Sequence, residues 1–281
     1  MSYDKIKSYA KINLALNITG KTNSLHKIES IISFVSLHDE ILIKRINSNK
    51  HIISFKGKFS KRIGKNNSIS KLLDLLEKKK IIKGKKFHIK INKKIPIKSG
   101  LGGGSMNAAS ILKYFIQKKI IKISKKEIII ISNSIGSDVI LGLRFINCVL
   151  TSKNRIKYFK SYKKIYTLIV KPNFGCSTKD IYSKVRKFDR SILNRPNIRM
   201  FDLNFLSKMQ NSLEPIAFSK YPKLQAIKSY LEISSKAFFV RMTGSGSALI
   251  AYFKSKEKCE NAKRQFNKKY KNYWCIVSKT I

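Results

Sequence analysis

Acidic residues are scarce in this chain: fifteen Asp and Glu stand against sixty Lys and Arg, for a net charge of +45. Cysteine is scarcer. Cys148, Cys176, Cys259 and Cys275 are widely spaced with no C-x-x-C pair, and no histidine lies near them in sequence, which argues against a disulfide framework and against a Cys/His metal site. Lysines interrupt every isoleucine run, so no stretch reaches the roughly 20 consecutive apolar residues of a membrane span. The first residues carry no apolar segment ending in a small-residue cleavage site. No internal repeat and no Pro-rich or Ser-rich linker divides the chain. These absences predict a soluble cytoplasmic protein, and 281 residues with 43% hydrophobic content can supply a sizeable core.

A basic excess of this size first points to nucleic acid or an anionic membrane surface. The lysines, however, are spread along the whole length and form no tail or helical stripe, and aromatic residues do not interleave with them as a stacking platform requires. Lys, Ile and Asn are raised together, the signature of a compositional bias at exposed positions. The expectation is therefore no specific nucleic-acid partner and no membrane, but ready attraction of an anionic small molecule.

Apolar and polar residues alternate from Lys7 to Ile18, with Ile12, Leu14, Leu16 and Ile18 on one face and Tyr9, Lys11, Asn13 and Asn17 on the other. This predicts a strand with one polar face. Strands are also predicted at 28–37, 40–46, 51–57, 85–96, 145–152, 164–172 and 273–281, and two apolar runs within 236–253 are joined by Gly and Ser. Helical spacing marks 68–80 and 105–119, and further helices are predicted at 178–187, 204–219, 222–234 and 255–269. The isoleucine-rich segment 124–136 favours strand by propensity, yet Ser124 followed by Glu127 forms a capping box, so a helix is predicted. An α+β chain of two sub-domains follows, with a division at 1–157 and 158–281.

Four of the thirteen glycines fall within five positions of "IPIKSGLGGGSMNAAS", residues 95–110. A strand, a bare turn and a helix make an anion site, because the first N–H groups of the helix are unpaired and glycines allow close approach. The helix dipole adds about 0.3–1 kcal/mol. The loop lacks the Gly-Lys-Ser/Thr of a Walker A motif, and Ser105 occupies the sixth position of a dinucleotide fingerprint. Taken alone it is either a phosphate cradle of another kind or a tight structural turn.

Four ordered stretches resemble the galactokinase, homoserine kinase, mevalonate kinase and phosphomevalonate kinase (GHMP) superfamily. "PIKSGLGGGSMNAAS" is similar to its phosphate loop, P-x-G-(A/G)-G-L-G-G-G-S-S-N-A-A. "YAKINLALNITGKTNSLHKIESI" resembles P-A-K-I-N-L-x-L-x-V-x-G-x-R-x-D-G-Y-H-x-L-x-(S/T). "SNSIGSDVILGL" resembles L-G-A-D-V-P-F-F, and "RMTGSGSALIAYF" resembles M-S-G-S-G-(S/P)-(A/T)-x-F-(A/G)-x-F. The match is nearest to the branch acting on 4-diphosphocytidyl-2-C-methyl-D-erythritol. The resemblance implies an N-terminal sub-domain of the ribosomal-protein-type left-handed βαβ fold and a C-terminal α/β sandwich. It also implies ATP- and Mg²⁺-dependent transfer to the 2-hydroxyl of that anionic diphosphocytidyl sugar alcohol in isoprenoid precursor synthesis, by a monomer or weak homodimer. Mevalonate or homoserine as acceptor is the alternative within the superfamily. An RNA-binding protein sharing the N-terminal fold is the alternative outside it.

By its own surroundings Asp138 is either a helix-capping aspartate or a catalytic one; the resemblance implies that it takes the proton of the substrate hydroxyl and that Lys11 pairs with it. Lys94, Pro96, Ser99, Gly100, Leu101, Gly102, Gly103, Gly104, Ser105 and Asn107 stand where the family holds ATP, as does Asn67. No metal ligand is named. Asn13, His26, Leu25, Tyr182, Thr243 and Gly244 stand on the substrate side, with His26 reading a cytosine edge and Tyr182 stacking on the ring. Here the family's glycine and tyrosine before that histidine are Ser24 and Leu25, and Ile140 replaces a proline.

Overall fold

The computed structural model describes residues 2–22, 25–61, 63–160 and 164–281. They form two compact units, each discontinuous in sequence. The first contains the chain up to Lys11, Leu37–Ile97 and Gly102–Phe145; the second contains Ile12–Ser36, Lys98–Leu101 and Ile146–Ile281. Strands β1 (Asp4–Lys21) and β2 (His26–Ile46) contribute residues to both and pair with each other.

In the first unit, β3 (Ile52–Lys56), α1 (Ser68–Lys78) and β4 (Lys86–Asn92) form a parallel βαβ crossover, and the end of β2 lies antiparallel on the other side of β4. Register places Ile41 and Phe55 against Ile91, and Ile43 and Ile53 against Ile89. Phe87, Ile89 and Ile91 alternate inward along β4 and share a core with Leu72, Leu73 and Leu76 of α1 and with Ile111, Leu112 and Phe115 of α2 (Gly103–Gln117). Each such side chain contributes about 1.5–3 kcal/mol on burial. Helix α3 (Lys125–Ile135) forms with the predicted capping box: Glu127 N–H donates to Ser124 Oγ at 3.2 Å, and Ser124 N–H donates to Glu127 Oε2 at 2.8 Å. A short α4 (Val139–Gly142), not foreseen, packs on α2 so closely that a Cβ at Gly142 would sit 2.7 Å from Ala109 Cβ.

The second unit holds the start of β2 paired with β5 (Cys148–Leu150), β5 paired with β6 (Ile156–Tyr158), and an antiparallel four-stranded sheet. That sheet runs β10 (Trp274–Lys279), β7 (Tyr166–Lys171), β9 (Leu249–Phe253), β8 (Phe239–Met242). Leu168, Val170, Ala251 and Phe253 pack with Leu224, Ile227 and Leu231 of α8 (Pro222–Ser234) and with Cys259, Ala262 and Phe266 of α9 (Lys256–Lys269). Burial pushes the Cys176 thiol up to about 11 and Cys259 to about 12, so both are inert packing groups. Helix α5 (Thr178–Ser183) is shorter than predicted.

Two expectations are corrected. The two strands read at 28–37 and 40–46 are one continuous β2. The helix read at 204–219 is broken into α6 (Leu203–Ser207) and α7 (Glu214–Lys220). Between them the chain pairs with β1, Leu16 N–H donating to the Gln210 carbonyl and Ser212 N–H to that of Leu16, and Pro215 restarts the helix. The predicted polar face of β1 forms and is buried at Lys11, Asn13 and Asn17.

Candidate active site

Burial separates a few basic residues from the many. Of the sixty Lys and Arg, the described residues bury four, Lys11, Lys93, Lys171 and Arg241. Two of these converge on the glycine-rich start of α2 in the first unit. Lys11 Nζ lies 3.1 Å from Asp138 Oδ2, with the lysine side chain 5% exposed and the aspartate 34%. Asp138 precedes α4 yet makes no side-chain cap bond, so its carboxylate is directed to the lysine and not to the helix. Gly142 permits the close α4–α2 packing that sets this aspartate beside the start of α2.

Gly102 is the N-cap of α2, with φ +67° and no side-chain cap. A Cβ there would meet Lys11 at 3.4 Å and Asp138 Oδ2 at 3.6 Å, so the helix start lies directly over the ion pair. The first intrahelical bond runs from Met106 N–H to the Gly102 carbonyl at 2.9 Å, which leaves the N–H groups of Gly103, Gly104 and Ser105 ahead of the helical ladder. Cβ atoms on the next two glycines would fill the cradle: at Gly103 one would lie 3.1 Å from Lys93 Nζ, and at Gly104 one would lie 3.1 Å from Ser68 Oγ. Ser105 Oγ faces the backbone of Gly136, 3.4 Å from where a Cβ would stand. Leu101 and Pro96 are buried, and the Oδ1 of buried Asn107 has no hydrogen-bond partner among the described residues. Unpaired donors, hydroxyls and an ammonium around bare backbone fit an anionic phosphate group.

Lys94 is directed elsewhere. Its ammonium pairs with Glu40 at 3.2 Å and is 45% exposed; Lys5 and Lys94 together hold the Glu40 carboxyl down at about 2. The lysine beside the loop is Lys93, ion-paired with fully buried Asp39, whose Oδ1 accepts from the N–H groups of Lys94 and Ile95 at 2.8 Å each. The signal was present: Phe87, Ile89 and Ile91 alternate inward, and the same period puts Lys93 inside and Lys94 outside. Asn67 caps α1, accepting from Ile69 and Ser70 N–H at 3.0 and 3.2 Å and donating to the Gly64 and Lys65 carbonyls, so it fixes the position of Ser68.

The family models "GHMP kinases N terminal domain" and "GHMP kinases C terminal" match residues 67–144 and 193–272. A 4-diphosphocytidyl-2-C-methyl-D-erythritol kinase from Pelagibacter ubique (strain HTCC1062) is 54% identical over 281 residues, covering all of both chains. The chain belongs to this family of GHMP kinases. A relative of the same name from Clostridium tetani (strain Massachusetts / E88) is 31% identical, covering 99% of this chain and all of the other. A crystal structure of 4-(cytidine 5'-diphospho)-2C-methyl-D-erythritol kinase shares the fold with a TM-score of 0.80 at 21% identity, over 98% of this chain and 99% of that one. Homoserine kinase from Cytophaga hutchinsonii shares it at 0.70 and 18%, over 99% and 95%.

In this GHMP kinase the remaining predicted residues lie in the second unit. Thr243 is fully buried; its Oγ1 accepts from Asn13 N–H at 3.0 Å and donates toward the Gly100 carbonyl at 3.3 Å. The Asn13 amide donates to Ser30 Oγ at 2.8 Å. Gly100 (φ +75°) is required, since a Cβ would sit 2.0 Å from the Thr243 carbonyl oxygen, and Gly244 packs on it in turn. The Ser99 carbonyl accepts from Ala248 N–H at 3.1 Å. Asn211, passed over by the motifs, donates to the carbonyls of Met242 and Gly244 at 2.8 Å each and holds the turn. The rings of His26 and Tyr182 meet at 5.3 Å and 49°. Burial, then the charge of Lys21, lowers the His26 pKa below its usual value, which favours the neutral ring. Leu25 is 72% exposed, and Ser24 lies outside the described residues.

Proposed function

We propose that this kinase transfers the γ-phosphoryl group of ATP to the 2-hydroxyl of 4-diphosphocytidyl-2-C-methyl-D-erythritol. The observation that carries the reading is the Lys11–Asp138 pair at 3.1 Å beneath the Gly102 cap. Asp138 takes the hydroxyl proton as the oxygen attacks the γ-phosphorus; the bond to the bridging oxygen breaks and its electron pair leaves with ADP. Lys11, 3.1 Å away, orients the carboxylate. The N–H groups of Gly103 to Ser105, with Lys93 below them, hold the phosphates, where fixed donors cost no reorganisation as charge develops. Mg²⁺ supplies further charge neutralisation when bound. No cluster of three or more His, Cys, Asp or Glu exists among the described residues, but a Mg²⁺ carried by phosphates needs only one or two protein oxygens, and Ser68, Ser105 and Asp138 fit that need.

On the acceptor side, neutral His26 presents a donor and an acceptor to the cytosine edge, while Tyr182 offers its ring face. Full-length identity of 54% to a kinase of this name favours the diphosphocytidyl acceptor over mevalonate or homoserine. Release of ADP from Mg²⁺-ATP, run in parallel on the three acceptors, tests the reading: turnover with the diphosphocytidyl compound alone is expected, and turnover with none of them overturns it.

His26 adds a pH prediction. Burial and the charge of Lys21 lower its pKa and the neutral form binds, so KM for the acceptor stays flat on the alkaline side of the lowered value and rises as pH falls through it. In His26→Gln, which keeps a donor and an acceptor without titrating, that rise should vanish. A persisting rise assigns the titration to another group.

A further inference from the structure

Lys98 holds a backbone conformation that its side chain disfavours. Its φ is +50°, in the left-handed region where a Cβ is strained and glycine is not. Of the other lysines with positive φ, Lys80, Lys119 and Lys236 each follow the C-cap of a helix, and Lys83 lies in the turn before β4. Lys98 alone among them stands in the glycine loop, at the place where the loop pattern of the superfamily has glycine. The residue is exposed, and its stem lies along Gly175: a Cβ there would be 2.6 Å from Lys98 Cβ and 3.5 Å from Cδ. Glycine at 175 thus makes the room that lysine at 98 occupies.

The surroundings of Lys98 belong to the second unit. Its carbonyl accepts from Ser247 N–H at 3.4 Å, and Ser247 Oγ donates to the Phe174 carbonyl at 2.8 Å, so the segment 174–175 and the 243–247 turn are braced around it. Two residues beyond Gly175, Ser177 caps α5, the helix that carries Tyr182 against His26. The nucleotide cradle of Gly103 to Ser105 is built in the first unit.

We infer that Lys98 is a specificity-determining residue whose ammonium binds the diphosphate of the acceptor substrate, an inference that rests on the proposed function. An exposed lysine whose stem is anchored beside Gly175, two residues before the cap of the helix bearing the cytosine-side ring, suits the two negative charges attached to the cytidine. A cation on a flexible stem also serves a diphosphate without demanding bidentate geometry.

The test uses the full chain and three variants: Lys98→Gly, which relieves the backbone; Lys98→Asn, which tolerates the left-handed conformation without a charge; and Lys98→Arg, which keeps the charge. Binding of the diphosphocytidyl compound is measured by calorimetry, beside KM and kcat for both substrates. Gly and Asn should weaken acceptor Kd and KM about tenfold, the size of one charge-assisted contact. Arg should stay near wild type, KM for ATP should stay within about twofold, and Tm of the Gly variant should be equal or higher. The acceptor effect should shrink with added salt. An unchanged acceptor affinity, or a rise confined to KM for ATP, overturns the inference. Lys98-dependent binding by a wild-type protein that fails to turn over upholds it while overturning the proposed reaction; no binding by wild type overturns both.

Discussion

Asp138→Asn is expected to lower kcat by about 10²–10⁴ while leaving the affinity for ATP largely intact. That loss corresponds to about 3–5 kcal/mol of transition-state stabilisation. The amide has the shape of the carboxylate but cannot take a proton from a hydroxyl, and it ends the charge pairing with Lys11 at 3.1 Å. The change leaves the 5%-exposed Lys11 without its carboxylate and so costs stability. Asp138 makes no cap bond to α4, however, is 34% exposed, and as Asn keeps an oxygen that can accept from Lys11, so a denaturation midpoint measured beside the kinetics should show a folded variant. Steady-state kcat with calorimetric ATP binding checks it. A near-wild-type rate would reduce Asp138 to a partner of a buried lysine with no part in the chemistry.

The second large effect lies beneath the loop. Asp39→Asn should cost about 3–5 kcal/mol of stability, read from denaturant midpoints, since it leaves the 3%-exposed Lys93 ammonium without its counter-charge. Two backbone N–H bonds to Asp39 Oδ1 also depend on the orientation of that side chain. Adding Lys93→Met removes the stranded charge, and an apolar replacement of both partners is often near neutral, so the double variant should regain most of the stability. Its KM for ATP should nonetheless stay raised, because the cation below Gly103 is gone. A double variant with wild-type KM would confine Lys93 to a structural role.

Much of the architecture was legible because local rules agreed with the final packing. In 124–136, isoleucine favoured strand and the Ser124–Glu127 box favoured helix; the helix won, since capping acts on the termini whatever the interior prefers. The break at 208–213 was not legible. It depends on Leu16, nearly two hundred residues earlier in the chain, offering its own N–H and C=O to Gln210 and Ser212. Asn211 is hidden for a similar reason: the Met242 and Gly244 carbonyls that it holds lie 31 and 33 residues further along the chain.

The site divides along the same line. By itself the sequence determined that a bare strand–turn–helix would expose unpaired N–H groups, and that alternation in β1 and β4 would set which residues share a face. Only the tertiary structure decided which charges matter. Sixty basic residues look alike in a string, but burying an ammonium costs several kcal/mol unless a carboxylate or carbonyl receives it. The fold meets that condition for Lys11 through Asp138 and for Lys93 through Asp39, while it leaves Lys94 on a surface pair with Glu40.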